Sequence, residues 1–310
     1  MRGTDFTSIP TRDLKRALFA ADSIAHQILR VDDPLRDVEE QLVEVFLEAI
    51  QSRNPEAIRR ARELLEAGAL DDAVTGTDLT GLLDELQPVY EKGWLDDVGR
   101  SVVSGVDVAY TLGREALLRP LLLQPSWNLV DDNARDALRA DSLYWVGNFW
   151  NADLGGRIAA VIQREVIEKG FSRRDAARQL GGMFEELGKS RAYWNVVAAA
   201  ATVRSRSFGT IESFVQANVE TFTFLAVMDA RTSRQCAHLH GRTFQVTRAV
   251  EVRNAFLLAD NPDQGKAIMP WRPPTELEAM DTKALEAAGA FIPPLHGNCR
   301  SQLVPETFRE

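Results

Sequence analysis

The sequence predicts an α+β protein, with a mainly α-helical, elongated amino-terminal body followed by a small α+β domain at the carboxyl end. Three observations carry this. Apolar residues recur at helical spacing as far as Asn218, the period switches to that of a strand at Thr221, and both cysteines and three of the four histidines fall within the last 75 residues. The division expected is an acidic helical domain over 1–154, a helical segment over 155–220 and a Cys/His-containing cap over 221–310.

Residues 1–32 read as a lead-in. Asp33-Pro34 is a helix start, with the carboxylate as cap and proline in the first turn, and Leu42, Val43, Val45, Phe46, Leu47 and Ile50 supply a broad apolar face. Asn54-Pro55 repeats the signal for a helix that stops near Gly68. Helix is expected again from Thr77 to about Leu118, with breaks at Pro88 and Gly93. An apolar connector follows over 119–127, then amphipathic helices over 131–150 and 155–168. Ser172 caps the next helix, which Gly181-Gly182 ends. The alanine-rich run from Trp194 to Ser205 is narrow enough for close helix packing, and Phe208 to Asn218 continues it.

From Thr221, TFTFLAVMD sets Phe222, Phe224, Ala226 and Met228 on one face. A turn over RTSRQ, a short strand over 242–246, a short helix over 248–258, a long loop over 260–274, a helix over 275–288 and a last strand over 301–304 complete the cap.

Composition bounds the function. The chain has 310 residues, 45% hydrophobic and 26% charged, and its net charge is −9. Residues 1–154 carry 16 Lys and Arg against 28 Asp and Glu, a net −12, whereas 155–310 carry 20 against 17, a net +3. An acidic front half is unsuited to phosphate contacts and suits a solvated surface or a basic partner; the back half leaves only a weak case for nucleic acid. No apolar run approaches the roughly 18–20 residues of a membrane span, and the first residues lack a secretory pattern, so synthesis and folding in a cytoplasm are expected. Two cysteines make no disulfide framework.

The chemistry lies in two knots, DARTSRQCAHLHG over 229–241 and PPLHGNCR over 293–300. Zinc prefers thiolate and neutral imidazole in a tetrahedral shell, supplied in pairs. Cys236 with His240 (His238 as the substitute) and His296 with Cys299 would make a full, structural site. The alternatives are a metal-free hydrogen-bonded turn, a Cys236–Cys299 disulfide, and a cysteine nucleophile with a histidine base. Asp229 and Thr232 cap the turn after the strand. The tryptophans read as core and interface anchors.

The carboxyl-terminal part resembles the phage head morphogenesis family, the minor head proteins of the Mu F type. The resemblance rests on Ala198 to Arg204, Asp229 with Thr232, Cys236, Leu239-Gly241-Phe244 and the closing Pro293-Pro294-His296-Asn298-Cys299-Arg300, over roughly 170–305. Two positions depart from the pattern: Ser301 stands where many members have a last cysteine, and His240 where Asp often precedes the glycine. The exchange keeps four ligands with a different set. The resemblance implies a non-enzymatic minor capsid protein in the virion head. It would associate with the portal protein, and with major capsid or scaffold protein, in procapsid assembly and DNA packaging or delivery, passing through the host cytoplasm. The rivals are a thiol-dependent or toxin-like enzyme with the same carboxyl domain, and a DNA-associated scaffold protein.

Overall fold

A computed structural model describes residues 34–119, 123–188 and 191–306, and these fold as a mainly helical protein with one small antiparallel sheet near the carboxyl end. Residues 1–33, with the expected lead-in, the Asp33 cap and His26, lie outside the described residues. The described parts of 1–40, 104–142 and 196–310 form one compact unit, and 41–103 with 143–195 form a second. The units therefore interleave along the chain, where the sequence suggested successive segments parting at 154 and 220. Charge and periodicity carry no signal for a chain that leaves a unit and returns to it.

In the second unit, helix α1 (Pro34–Gln51) contributes Phe46 from the apolar face read in the sequence. Helix α2 (Asn54–Glu66) begins at the expected place, but Arg53 holds the cap position and Asn54 does not cap. The Asn54 side chain is buried instead, accepting from the Tyr90 hydroxyl at 2.9 Å and donating to the Phe184 carbonyl at 3.2 Å. Helix α3 (Gly76–Glu91) opens on a Thr75–Asp78 capping box and carries Pro88 inside its last turn. The break falls only at Gly93, whose φ of +70° suits a residue without a side chain. Helix α4 (Trp94–Leu118) starts there, and its first residue is the centre of this core. Trp94 packs on Phe46, Phe149 and Trp194, with centroids 4.5–6.2 Å apart, and its Nε1 donates to the Val146 carbonyl at 3.0 Å.

Helix α5 (Leu129–Gly147) leads through a π turn at Trp150–Leu154 to α6 (Gly155–Ile162) and a second π turn at Gln163–Ile167. Helix α7 (Arg173–Gly188) is capped by Ser172, whose hydroxyl accepts from the Asp175 N–H at 3.2 Å. It runs through Gly181-Gly182, contrary to expectation. Neither glycine takes the left-handed conformation that closes helices, and the apolar face continues to the buried Phe184.

The first unit is organised by the crossing of α4 with α8 (Arg191–Gln216). A Cβ at Gly113 would lie 2.0 Å from the Arg206 carbonyl oxygen, and one at Gly209 would lie 2.2 Å from that of Tyr110, so the backbones touch where both helices have glycine. Beside the crossing, Arg114 is fully buried. Its Nε lies 2.8 Å from Asp131 Oδ1, and its Nη2 donates to Gln216 Oε1 at 2.9 Å and to the Ser126 carbonyl at 3.0 Å. The Tyr110 hydroxyl donates to Asp131 at 2.9 Å; burial, with the carboxylate's charge, keeps this phenol protonated well above its ordinary range.

Strand β1 (Thr221–Leu225) follows α8 and is the middle strand of the sheet. It pairs with β2 (Thr243–Gln245) in the register Phe222↔Phe244, and with β3 (Gln302–Pro305) in the register Phe224↔Leu303. Phe222 and Phe224 are buried as the alternation required, whereas Met228, past the strand's end, is 56% exposed. Phe222, Phe244 and Phe291 stack at 5.1–6.2 Å. The remaining helices are α9 (Arg234–Leu239), α10 (Val246–Leu257), α11 (Pro262–Ile268), α12 (Pro274–Glu278) and α13 (Thr282–Ala287). Helix α11 occupies part of the expected loop, with Asn261 as its cap and Pro262 in its first turn. The single helix expected over 275–288 is two.

Candidate metal centre

The turn after β1 builds the first half of the site. The Asp229 carboxylate accepts from the Arg231 N–H at 2.9 Å, and the Asp229 N–H donates to Thr232 Oγ1 at 2.7 Å. The chain then enters α9 with Ser233 as its cap, the hydroxyl accepting from the Cys236 N–H at 3.2 Å. Cys236 follows in the first turn of the helix and is buried, 3% exposed. Neither α9 nor its cap is among the elements expected from the sequence, although a serine three residues before Cys236 is a cap signal.

The second half is the closing motif. Trp271 Nε1 donates to the Pro294 carbonyl at 3.1 Å. Gly297 lies against α8, where a Cβ would come within 2.8 Å of both Val196 methyls. Asn298 has φ +58°, a left-handed conformation that asparagine tolerates better than most residues. The Gly and Asn of the motif are thus explained by backbone geometry, which leaves His296 and Cys299 to do chemistry.

The halves meet at three side chains. Cys236 Sγ lies 3.2 Å from His296 Nε2 and 3.7 Å from Cys299 Sγ, and all three ligand atoms fall within 4.8 Å of one another. Ser233 Oγ is 2.8 Å from the same Nε2, while His296 Nδ1 is bound to the Gly297 carbonyl, fixing the ring. Beside them Arg300 grips Asp229 through two bonds of 2.6 and 2.8 Å, which hold that carboxyl far below its usual range. Both cysteines are free thiols. The hydrogen bond from Cys299 draws the Cys236 thiol down to about 6 against the effect of burial, helped by the Ser233 and Ser301 hydroxyls and the Arg300 charge. Cys299, as donor and deeply buried, is pushed up.

This donor set fits a metal. Two sulfurs at about 2.3 Å from a tetrahedral ion stand about 3.8 Å apart, close to the observed separation. The distance from the Cys236 sulfur to the His296 nitrogen needs to open by only a few tenths of an ångström. Thiolates with a neutral imidazole suit a borderline-soft ion such as zinc.

Not every expected ligand is present. His240 is exposed, and its Nδ1 accepts from the Ala226 N–H at 3.1 Å; His238 Nε2 lies 2.9 Å from Arg242 Nη2. Neither joins the three converging residues. Adjacency in sequence misled here, because α9 points Cys236 into the core while its last turn carries the two histidines away.

No protein-family model, curated protein or solved structure matches this chain. Its description therefore rests on its own geometry. Among the described residues no helix is long and apolar enough to cross a membrane.

Proposed function

We propose that this chain is a minor head protein of a tailed phage or prophage. It would be built into the procapsid beside the portal protein, in contact with major capsid or scaffold protein, and act in assembly and in DNA packaging or delivery without catalysing a reaction. The observation that supports the reading is the junction of the two motif halves. Asp229 with Arg300, and Cys236 with His296 and Cys299, interlock into one knot, so residues from both motif halves that carry the resemblance meet in one place. Zinc bound by Cys236, His296 and Cys299 would tie the strand β1 turn to the segment that leads into β3.

Quantitative mass spectrometry of purified procapsids and virions tests this, counting the chain against portal and major capsid protein. A few to a few tens of copies per particle is the expected outcome; absence from both particles defeats the proposal.

The 3.2 Å approach of Cys236 to His296 favours a second reading, a thiol-dependent enzyme with this pair as nucleophile and base. That reading requires rapid alkylation of Cys236 by iodoacetamide at neutral pH and access for a substrate. The minor-head reading expects a slow reaction, since both thiols are almost wholly buried.

A further inference from the structure

We infer that the Cys236–His296–Cys299 centre is open: the chain supplies three corners of a tetrahedral shell, and the fourth takes an exchangeable water or thiolate held beside the Ser233 hydroxyl. The inference rests on the metal reading above, and it reverses the closed four-ligand shell expected from sequence.

Three observations lead to it. First, the other ligand-bearing side chains of the two knots are engaged elsewhere. Both Asp229 oxygens bind Arg300, His240 Nδ1 accepts from the Ala226 N–H, and His238 Nε2 faces Arg242. Among the described residues, no fourth cysteine, histidine or carboxylate joins the three. Second, Ser233 Oγ stands 2.8 Å from His296 Nε2. A neutral hydroxyl is a poor ligand for an ion already bound by two thiolates. Once an ion takes the single lone pair of Nε2, the Ser233 proton has lost that acceptor, while its oxygen still caps α9 through the Cys236 N–H. That proton is then free to be donated to a ligand at the remaining corner. Third, charge and access agree. Two thiolates balance a divalent ion, so the corner accepts either neutral water or one soft anion. His296 is half-buried, whereas the two cysteines are 3% and 1% exposed, so a ligand enters from the His296 side.

Cobalt(II) loaded into the full chain reads the shell directly. The expected result is one cobalt per chain, a thiolate-to-cobalt charge-transfer band, and d–d bands that shift on adding 2-mercaptoethanol or azide. Ser233→Ala should keep the cobalt stoichiometry but weaken the added ligand several-fold, and Ser233→Thr, which keeps the hydroxyl, should restore it. A charge-transfer band with d–d bands indifferent to both ligands means a closed shell; it overturns the inference and leaves the metal centre standing. No charge-transfer band overturns both. Unchanged ligand affinity in Ser233→Ala overturns the positioning role of the serine.

Discussion

In residues 41–103 and 143–195 the deepest side chains are rings. Trp94, Phe46, Phe149 and Trp194 lie against one another, and the indole nitrogen of Trp94 is satisfied by a backbone carbonyl. The other unit buries rings in its sheet as well, but it also buries Arg114 with Asp131, and Arg253 with Glu212 at 2.7 Å. Rings held by apolar contact tolerate small shifts, since dispersion is non-directional. A buried guanidinium and carboxylate do not, because each needs its partner at a set distance and angle. Among the described residues, the unit that carries the Cys/His knot is thus also the one that buries charged side chains.

Arg114 gives the sharpest way to break this comparison. Arg114→Met strands Asp131 in a dry interior and should cost about 3–5 kcal/mol in chemical denaturation, and adding Asp131→Leu should recover most of it. Trp94→Ala should cost about as much, 3–5 kcal/mol, by loss of packing, and no single second change should rescue it. If the double variant at 114 and 131 is no better than Arg114→Met alone, the ion pair is not what distinguishes the units. Next in size is Gly113→Ala, whose methyl would collide with the Arg206 carbonyl; a loss of about 1–3 kcal/mol is expected, and an unshifted thermal midpoint would show that the helices part easily. The smallest effect depends on pH. Burial works to raise the Asp107 carboxyl, but bonds from Arg139 at 2.5 Å and Arg135 at 3.2 Å outweigh it and hold the group below its usual range. A depressed carboxylate stabilises the fold above the unfolded value of about 4, and that contribution is lost as the pH falls through the lower folded value. Asp107→Asn should therefore cost stability above about pH 4 and flatten the acid limb, with little effect once the pH lies below the lowered folded value; an unaltered slope would count against these bonds.

Much of the fold was legible in the sequence where a local signal decides the outcome. Pro34, Ser172 and the alternation of Phe222 and Phe224 each act within a few residues, and each element stands where it was read. What stayed hidden depends on partners distant in the chain. Asn54 carries a cap signal, yet its side chain is claimed by Tyr90 and Phe184. Gly181-Gly182 reads as a stop, yet the buried Phe184 carries the helix onward. The site divides in the same way. Cys236, His296 and Cys299 could be named from residue type and spacing, whereas the release of His238 and His240 followed from the direction of a six-residue helix.

The order of the sheet bears on how the chain is made. The middle strand meets its neighbour β2 after a short excursion, so that hairpin can close early, at low entropic cost. Its other neighbour is β3, reached only after four further helices have left the ribosome. Until then Cys236 has no Cys299 and His296 to cover it, and one edge of β1 lies open to foreign strands. Translation therefore leaves an interval in which a nascent chain carries a bare thiol and an unpaired strand together, and the arrival of residues 293–305 ends both exposures in one step.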